Sequence, residues 1–536
     1  MRQAGTATDT ATGMATGMAT AMAAMTRRKA EPRHLAIALA AWGALAQAQD
    51  GAAGAGRGLT VAPRLSVMQS WTDNLQLTEQ NKDAALVTTL APGLSITANN
   101  GSLRGTLDYT LNGIAYLKSD QPSRVQNALT ANARAELVSQ TLFVDMKANI
   151  GQQSSSAFGL QSAPTSGSQG AVSNLANPNQ RETMTLAVSP SLRGMLGGWA
   201  TYELRGDYTQ TEARGSSLGD SRGNAGSLRL SQANAGLLGW WLQVSTQQFK
   251  SAAAPANRDT SLRLGMNYRP DPDWTFTANV GRERSNYLGA SQSSGTTAGA
   301  SAEWTPTVRT RLGADWQRHD YGSSHALTAE HRLQRAALRY TDSQSTMLGN
   351  TGGGGGARTN YDLFFLLYAS REPDPIKRDL LVRSELLRLG LSPDGVAATG
   401  FLSSGPSRLR TQQLALTLQG VRTTLTAQLT RSLSSRLGSN QNGGDLANTS
   451  RVEQRSYSLS AGYQLTPTSG LSLVASRQET QGDNANQSTQ LTSWFANWTG
   501  RLGSRMDMQL GVRRSQYEGS TPYTENAAYA SLTQQF

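Results

Sequence analysis

The chain has 536 residues, no cysteine, 38% hydrophobic residues and a mean hydropathy of −0.44. These values exclude disulfide frameworks, thiolate metal sites and bundles of membrane-spanning helices. The formal net charge of +12 is typical either of an anionic partner or of arginines spread over walls and loops, and the scatter of the arginines favours the latter.

The N-terminal region has the pattern of an export signal. Basic residues within 27–33 precede the apolar run Leu35–Ala46, and Ala46 and Ala48 form a small-x-small cleavage site. A charged segment, a short apolar core and an A-x-A exit are typical of a secretory signal peptide. The apolar run is shorter than the roughly 20 residues that span a bilayer. We predict a leader plus signal peptide in 1–48 and a mature protein in 49–536.

From Leu59 onward, apolar residues recur at every second position. Clear examples begin at Leu142, Leu262, Trp274 and Tyr457, and the residues between are mostly Thr, Ser, Arg, Asn, Asp and Gln. Because successive side chains of a strand point to opposite faces, each segment has one apolar and one polar face. The pattern predicts β-strands almost to the C-terminus.

The predicted strands are long and numerous. Many run about 10–14 residues, whereas globular strands usually have about 5–6 and about 9–11 residues cross a bilayer at a tilt. We predict an all-β fold, a large transmembrane antiparallel β-barrel of roughly 20–22 strands, with an even count as in bacterial barrels. The tally is odd unless Asn360–Ser370 or Val396–Ser403 is a strand.

Short and long connections alternate between these strands. Short turns on the periplasmic side and long loops outside are the arrangement of outer-membrane barrels. Tyr and Trp near strand ends are expected at the membrane interface. The short connections are 99–101, 139–141, 269–273, 305–307 and 466–470, and the long ones are 152–180, 213–225, 285–296 and 434–450.

One region, residues 343–407, breaks the two-residue pattern. The glycine run Gly352–Gly356 predicts a flexible linker. A helical pattern follows over 361–390, with Asp374 as the expected N-cap and Pro375 as the first helical residue. We predict one or two helices inserted between strands. They are compatible with a plug in the lumen, a cap over one mouth or a periplasmic docking element.

The last predicted strand ends in Phe536, and Leu532 and Ala530 share its parity. A terminal Phe after an alternating strand looks like the signal that the outer-membrane assembly machinery recognises. Gln534 departs from the apolar pattern at this end. We predict that Phe536 is the assembly signal.

Charged residues occupy the polar face of many predicted strands. In a barrel this face lines the lumen, where charges are usually paired for structural reasons. A functional alternative is a hydrophilic path for a glycan. The candidate lumen-lining charges are Asp108, Asp145, Glu203, Arg205, Arg229, Arg263, Arg311, Asp315 and Arg339.

Few residues suit catalysis or metal binding. Three of the four histidines, His319, His325 and His331, are spaced by six residues, which is not the spacing of a helical metal site. A group of His319, Asp320 and His325 near a strand end is the candidate for an outer-membrane hydrolase, but no G-x-S-x-G elbow accompanies it. We predict no catalytic, cofactor or metal site and no enzyme activity.

Several short motifs of the chain resemble those of one known family. The N-terminal motifs are Trp71-Thr72-Asp73-Asn74-Leu75, Leu90-Ala91-Pro92-Gly93-Leu94, Asp108-Tyr109 and Ala148-Asn149-Ile150-Gly151-Gln152-Gln153. The motifs that look like the family's central insert are Pro373-Asp374-Pro375 and Gly390-Leu391-Ser392-Pro393-Asp394-Gly395. The family that they resemble is the PEP-CTERM system-associated outer-membrane proteins. The resemblance implies a link to exosortase sorting and to exopolysaccharide production, and the family carries no established catalytic residues.

Four hypotheses follow for the function. The first is an outer-membrane barrel of a Gram-negative cell that acts as conduit or assembly component in exopolysaccharide or PEP-CTERM protein export or sorting. The alternatives are a general or substrate-specific porin-like channel, an outer-membrane hydrolase and a soluble secreted β-repeat adhesin. The expected partners are outer-membrane lipids and lipopolysaccharide, the assembly machinery, and exopolysaccharide or PEP-CTERM proteins, with no nucleic acid.

Overall fold

The computed structural model describes residues 58–163, 175–234, 236–252, 254–289, 291–349, 360–388, 400–438, 443–484 and 486–536. From Leu59 to Phe536 the chain forms one compact unit. The predicted leader and signal peptide, with Ala46 and Ala48, lie outside the described residues.

The described residues of this unit form twenty-two strands. They are β1 (Leu59–Thr72), β2 (Ala85–Asn99), β3 (Leu103–Leu117), β4 (Arg124–Val138), β5 (Leu142–Ser154), β6 (Gln180–Leu196), β7 (Ala200–Ala213), β8 (Ser216–Gln232), β9 (Leu238–Ser251), β10 (Asn257–Tyr268), β11 (Trp274–Ser285), β12 (Ser293–Thr307), β13 (Thr310–His319), β14 (Gly322–Arg332), β15 (Ala336–Leu348), β16 (Pro406–Gln419), β17 (Thr423–Arg436), β18 (Arg451–Thr466), β19 (Ser469–Gln481), β20 (Ser488–Arg501), β21 (Met506–Glu518) and β22 (Tyr523–Gln535).

Each strand pairs antiparallel with its neighbour in sequence, and β1 pairs with β22, with Val67 opposite Leu532. Closure leaves no unpaired sheet edge. The predicted all-β antiparallel barrel and its strand range are therefore confirmed. Of the two segments left open as an extra strand, Asn360–Ser370 is not one, because Asn360–Leu367 is helical and Tyr368–Ser370 forms a 3₁₀ turn, and the described strands are even in number without it. In Val396–Ser403, the described residues 400–403 make only isolated bridges.

The seam between β1 and β22 is fixed by the Trp71-Thr72-Asp73-Asn74 segment. The Thr72 hydroxyl donates to Glu525 at 3.0 Å, and Asp73 accepts hydrogen bonds from the backbone and side chain of Asn526, both at 2.7 Å. Asn74 then closes the following turn by accepting from the Thr78 backbone N–H at 2.9 Å. These polar contacts tie the first strand to the last.

The wall is apolar outside and polar inside. On β10, Leu262, Leu264 and Met266 are 50%, 53% and 53% exposed, whereas Ser261 is only 3% exposed. The same inversion recurs around the barrel, where large apolar side chains are exposed and Ser and Thr are buried. A water-soluble fold hides its apolar face, so this surface suits hydrocarbon as its solvent. The exterior is the lipid-facing surface of a transmembrane barrel, and the opposite side is called the lumen face.

The two ends of the barrel differ in their connections. Turns such as 100–102, 139–141 and 333–335 lie at one end, together with the start of β1 and the end of β22. Long connections such as 155–179 and 349–405 lie at the other. We refer to these as the short-turn end and the long-loop end. The asymmetry matches the predicted alternation of periplasmic turns and external loops.

The predicted long loop 213–225 is wrong. β7 runs to Ala213 and β8 begins at Ser216, and the two-residue turn uses Gly215 at a φ of +74°. Residues 216–224 are rich in Ser and Gly yet continue the β7–β8 ladder, with Thr211 opposite Ser221. Strands that extend past the hydrocarbon layer need no apolar face, so composition misidentified them as a loop.

Aromatic side chains ring the exterior near the short-turn end. Trp274 stacks on Trp304 with ring centroids 5.3 Å apart, and Trp199 stacks on Trp240 at 6.0 Å. Tyr268 stacks on Phe276 at 6.3 Å. Amphipathic rings of this kind favour the interface between hydrocarbon and headgroups.

The predicted helical insert lies between β15 and β16. It contains α1 (Asn360–Leu367), a 3₁₀ turn (Tyr368–Ser370) and α2 (Pro375–Arg388), and the start of α2 at Pro375 is the predicted one. A further short helix, α3 (Asp445–Asn448), lies between β17 and β18. Among the described residues, no helix is both long enough and apolar enough to cross a bilayer.

Candidate functional site

The lumen face holds all nine charged residues that the sequence singled out. Each has the parity opposite to the exposed apolar residues of its own strand. For example, Arg205 on β7 neighbours Leu204, and Asp315 on β13 neighbours Trp316, and both apolar neighbours are exposed on the exterior. The nine residues are Asp108, Asp145, Glu203, Arg205, Arg229, Arg263, Arg311, Asp315 and Arg339.

A row of charges runs across the lumen face of four neighbouring strands, β4 to β7. The carboxylate of Asp145 lies 3.7 Å from Arg134 and 3.6 Å from Arg205. Arg205 also donates to Asp207 at 2.9 Å, and Glu203 accepts from Arg193 at 2.9 Å. Alternating signs let each guanidinium compensate a neighbouring carboxylate. We call Arg134, Asp145, Arg193, Glu203, Arg205 and Asp207 the luminal charge row.

Further ion pairs on the lumen face differ in exposure. Arg311 Nε lies 2.7 Å from a carboxylate oxygen of Glu303, with side chains 60% and 43% exposed. Arg339 and Glu330 are 2.9 Å apart with side chains only 13% and 17% exposed. The first pair therefore borders water within the barrel, whereas the second is covered.

Two other predicted charges have polar or aromatic partners. Arg64 donates two hydrogen bonds to Asp108, at 2.7 and 2.8 Å, and one to Thr110 at 2.6 Å. The guanidinium of Arg229 lies 4.6 Å from the centre of the Trp241 ring. A forked pair and a stacked cation both hold their side chains in one geometry.

Helices α1 and α2 lie inside the barrel. Leu363 and Leu367 of α1 pack with Ala337 of β15 and Ala415 of β16, which are lumen-facing and buried. Phe364 and the α2 residues Val382 and Leu386 pack with Val474 and Phe495 of β19 and β20, on the same face. The insert thus occupies lumen volume, which is the plug placement among the three that the sequence allowed.

The insert is held near the short-turn end. Gln419, the last residue of β16, donates to the Tyr368 hydroxyl at 2.8 Å, and Arg332, the last residue of β14, reaches the Leu366 carbonyl at 3.5 Å. Tyr361 of α1 donates to Asp379 of α2. These contacts join the two helices to each other and to the wall.

Connections at the long-loop end also fold inward. Leu77, Leu160 and Leu175 pack with the lumen-facing Tyr517 and Tyr523. The Tyr517 hydroxyl donates to the Gly159 carbonyl at 3.0 Å, and the Tyr523 hydroxyl to the Gln161 carbonyl at 2.7 Å. Phe401 and Leu446 form a similar cluster with Ala157 and Val452. The lumen face is apolar where these segments cover it.

A buried ion pair lies on β21 and β22 beneath these segments. Arg513 donates to Glu525 at 2.6 and 3.0 Å, and their side chains are 3% and 0% exposed. The carboxylate also accepts from Thr72. Because both charges are removed from water, each depends on the other.

An acidic cluster lies on the lumen face of β10, β11 and β13, beyond the apolar band. Burial, and then the negative charge of Glu283, raise the pKa of Asp259 to about 7. Burial alone would raise the pKa of Glu283, but the hydrogen bond from His319 at 2.8 Å and its charge hold that pKa below the ordinary value. Asp259 therefore changes charge near neutral pH.

The structure separates the histidines of the hypothetical hydrolase. His319 faces the lumen, where it contacts Glu283 and Ser324, whereas His325 faces the exterior and lies 3.3 Å from Asp342. Asp320 accepts from Ser293 at 2.5 Å. The grouping is wrong because residues 319 and 325 face opposite sides of the wall on adjacent strands. Among the described residues, no group of His, Asp and Glu is placed to hold a metal ion.

The sequence did not reveal the inward loops or the Arg513–Glu525 pair. Leu160, Leu175 and Phe401 are isolated apolar residues in polar segments, so no periodicity marks them. Arg513 and Glu525 do have lumen parity, which is the signal that selected the other charges.

Comparisons with known proteins show low similarity. No protein-family model matches the chain, and no curated protein matches it. Among solved structures, the siderophore receptor PirA from Acinetobacter baumannii is 11% identical, with a TM-score of 0.45 over 89% of this chain and 80% of that one. PirA from Pseudomonas aeruginosa is 12% identical, with a TM-score of 0.40 over the same shares. The FrpB iron transporter from Neisseria meningitidis is 10% identical, with a TM-score of 0.45 over 90% and 82%.

Proposed function

We propose that this protein is an outer-membrane transport conduit whose polar lumen is restricted by helices α1 and α2. In the finer form of the proposal, it serves exopolysaccharide export, or the export or sorting of PEP-CTERM proteins, as conduit or assembly component. The exterior apolar belt supports a membrane location, and the asymmetry of the connections is typical of bacterial outer-membrane barrels.

The observation that carries the proposal is the position of the helices against the lumen face. Leu363 and Leu367 contact Ala337 and Ala415 through apolar packing, and hydrogen bonds from Gln419 and Arg332 of the wall reach Tyr368 and Leu366 of the insert. Small wall residues leave space for the helix at this point. An element packed in this way restricts the lumen without being a strand of the wall, so it is suited to regulating passage.

The chemistry of the lumen indicates a polar cargo. The luminal charge row is partly exposed, and its carboxylates and guanidiniums alternate. Such a surface offers hydrogen bonds to hydroxyl-rich or hydrated solutes without a strong preference for one charge. A neutral or weakly acidic glycan fits this description. The choice of exopolysaccharide or PEP-CTERM proteins depends on the family resemblance of the sequence.

A porin-like channel is the second candidate. The exposed Arg311–Glu303 pair supports it, because a water-filled lumen lined with ion pairs conducts ions. The two candidates differ in whether the helices restrict conductance and in whether loss of the protein affects export.

The test uses the absence of cysteine from the chain. Ala337→Cys with Leu363→Cys provides a site for a short thiol cross-link between the wall and α1 in planar bilayers. We expect low conductance with the cross-link and a larger conductance when residues 350–404 are replaced by a short linker. Leu363→Cys alone is the matched control. An unchanged conductance after the replacement rules out restriction by the helices.

The finer proposal has its own test in cells. Deletion of the gene is expected to reduce secreted exopolysaccharide or to mislocalise PEP-CTERM proteins. Normal secretion and sorting in the deletion strain overturn that part, and a high conductance of the intact protein then favours the porin-like channel.

A further inference from the structure

One sector of the exterior carries more basic than acidic residues. Asp220 shares the exterior parity of Arg222 on β8, and it accepts a hydrogen bond from the Ala213 backbone N–H at 2.8 Å. On the strands from β8 to β13, the exterior positions beyond the apolar band include several exposed cations. Across the exterior strand positions of β9 to β14 there is no Asp or Glu. We call the following set the exterior basic patch: Arg222, Lys250, Arg258, Arg282, Arg284 and Arg318.

These cations lie directly above the lipid-facing surface. Val280 and Trp316 are exposed by 55% and 46%, and the next exterior positions on their strands are Arg282 and Arg318. Alternate residues of a strand are roughly 7 Å apart, so both guanidiniums lie within reach of the headgroup layer. The patch faces the long-loop side, which is the outer leaflet if the short turns are periplasmic.

The patch has like charges as close neighbours. Arg222 lies directly opposite Lys250 in the β8–β9 ladder. Arg282 and Arg284 are successive exterior residues of β11, and β11 pairs with β10, which carries Arg258. Like charges placed opposite each other on one face of a sheet are destabilising. Within the described parts of the chain, the structure shows no ion pair for these six side chains.

On another sector of the barrel, exterior arginines beyond the apolar band have carboxylate partners. Arg431 and Arg455 both contact Glu453, at 2.8 and 2.7 Å, and Arg477 contacts Glu479 at 2.7 Å. On that sector, three exterior arginines have a carboxylate partner, unlike the six cations of the patch. The lumen-side acids do not serve the patch, because Glu283 points to the opposite face and is bonded to His319.

We infer that the exterior basic patch binds the phosphorylated headgroup of outer-leaflet lipopolysaccharide. Guanidiniums bind phosphate through paired hydrogen bonds, and several cations within one sector match a headgroup with more than one anion. The exposed Leu262, Val280 and Trp316 below the patch provide a surface for the acyl chains of the same molecule. A secreted acidic glycan has no acyl chains, so this continuity favours the lipid.

The test compares binding of three probes to the barrel in nanodiscs of neutral phospholipid. The probes are diphosphoryl lipid A, dephosphorylated lipid A and alginate. We expect wild-type protein to bind diphosphoryl lipid A, and Arg282→Gln with Arg318→Gln to weaken this binding by roughly tenfold or more. The matched control, Arg431→Gln with Arg455→Gln, is expected to bind as wild type does.

Three results overturn the inference. The first is that dephosphorylated lipid A binds as well as diphosphoryl lipid A. The second is that the Arg282→Gln, Arg318→Gln variant binds diphosphoryl lipid A as well as wild type does. The third is that this variant loses binding of alginate but keeps binding of lipid A. The heat-dependent gel shift of all variants verifies that they are folded. The conductance of the patch variant is expected to stay at the wild-type value, so this result is independent of the proposed conduit.

Discussion

Arg282 and Glu283 are consecutive residues of β11 that face opposite sides of the barrel wall. Arg282 is exposed on the exterior above Val280, whereas Glu283 is 2% exposed on the lumen face, where it accepts a hydrogen bond from His319 at 2.8 Å. The two charges therefore belong to different environments although one peptide bond joins them. The wall thus separates an exterior face from a lumen face.

A charge placed on the exterior within the hydrocarbon layer is expected to destabilise the barrel. Leu459 is exposed in the middle of the apolar face of β18, and its neighbour Ser458 faces the lumen. We expect Leu459→Arg to reduce the free energy of unfolding from vesicles by about 2–4 kcal/mol. Ser458→Arg is the control and should cost much less, because its side chain enters the polar lumen. Equal costs, measured by urea titration, contradict the assigned faces.

Removal of one partner of the buried Arg513–Glu525 pair is expected to be costly. Glu525→Gln leaves the guanidinium of Arg513 without its compensating charge at 3% exposure. We expect a loss of about 3–5 kcal/mol in the free energy of unfolding, largely restored in Arg513→Met with Glu525→Leu. If the single and double variants unfold at the same urea concentration, the pair is not the source of the effect.

Stability near neutral pH is expected to depend on Asp259. Its pKa is raised from 3.8 to about 7 by burial and by Glu283. Since the folded state favours the protonated carboxyl, Asp259 contributes stability to the folded barrel. This stability is complete below pH 3.8 and is lost as the pH rises through about 7. We expect the apparent Tm in detergent to fall by about 2–4 °C between pH 5 and pH 8.

One variant tests that assignment. Asp259→Asn removes the titrating group, so its Tm should be nearly constant over this interval. A wild-type pH dependence that survives in Asp259→Asn contradicts the assignment.

Phe536 is expected to act in assembly and not in the stability of the finished barrel. It lies at the short-turn end, is 63% exposed, and donates its backbone N–H to the Pro63 carbonyl at 3.0 Å. We expect Phe536→Ala to reduce the amount of folded protein in outer-membrane fractions while leaving the Tm of the purified barrel unchanged. A lower Tm with normal abundance indicates a structural role instead.

The sequence predicted the wall well because one physical rule governs it. Alternation placed Leu262, Leu264 and Met266 on the exterior, and it placed Asp145 and Arg205 on the opposite face. Helical spacing after Pro373 likewise located α2, since a change of period is a local signal. The lumen position of α2 was one of three possibilities, because period does not specify what a helix packs against.

Other features depend on distance along the barrel axis, which alternation does not encode. Beyond the hydrocarbon layer the exterior face also becomes polar, so the apolar alternation gave no signal at Arg282 and Arg284. For the same reason the polar part of β8 was mistaken for a loop. Leu160 and Leu175 pack across the lumen over long sequence separations, and no local pattern marks such contacts.

The central claim is that the exterior of the barrel wall contacts lipid and that its lumen face contacts water. The most direct test introduces single cysteines at positions 457–463 of β18 in proteoliposomes, labelled with a charged thiol reagent and with a lipid-soluble one. The account predicts strict alternation: Ser458, Ser460 and Gly462 positions react with the charged reagent, and Tyr457, Leu459, Ala461 and Tyr463 positions with the lipid-soluble one. Uniform reaction of all seven positions with the charged reagent contradicts it.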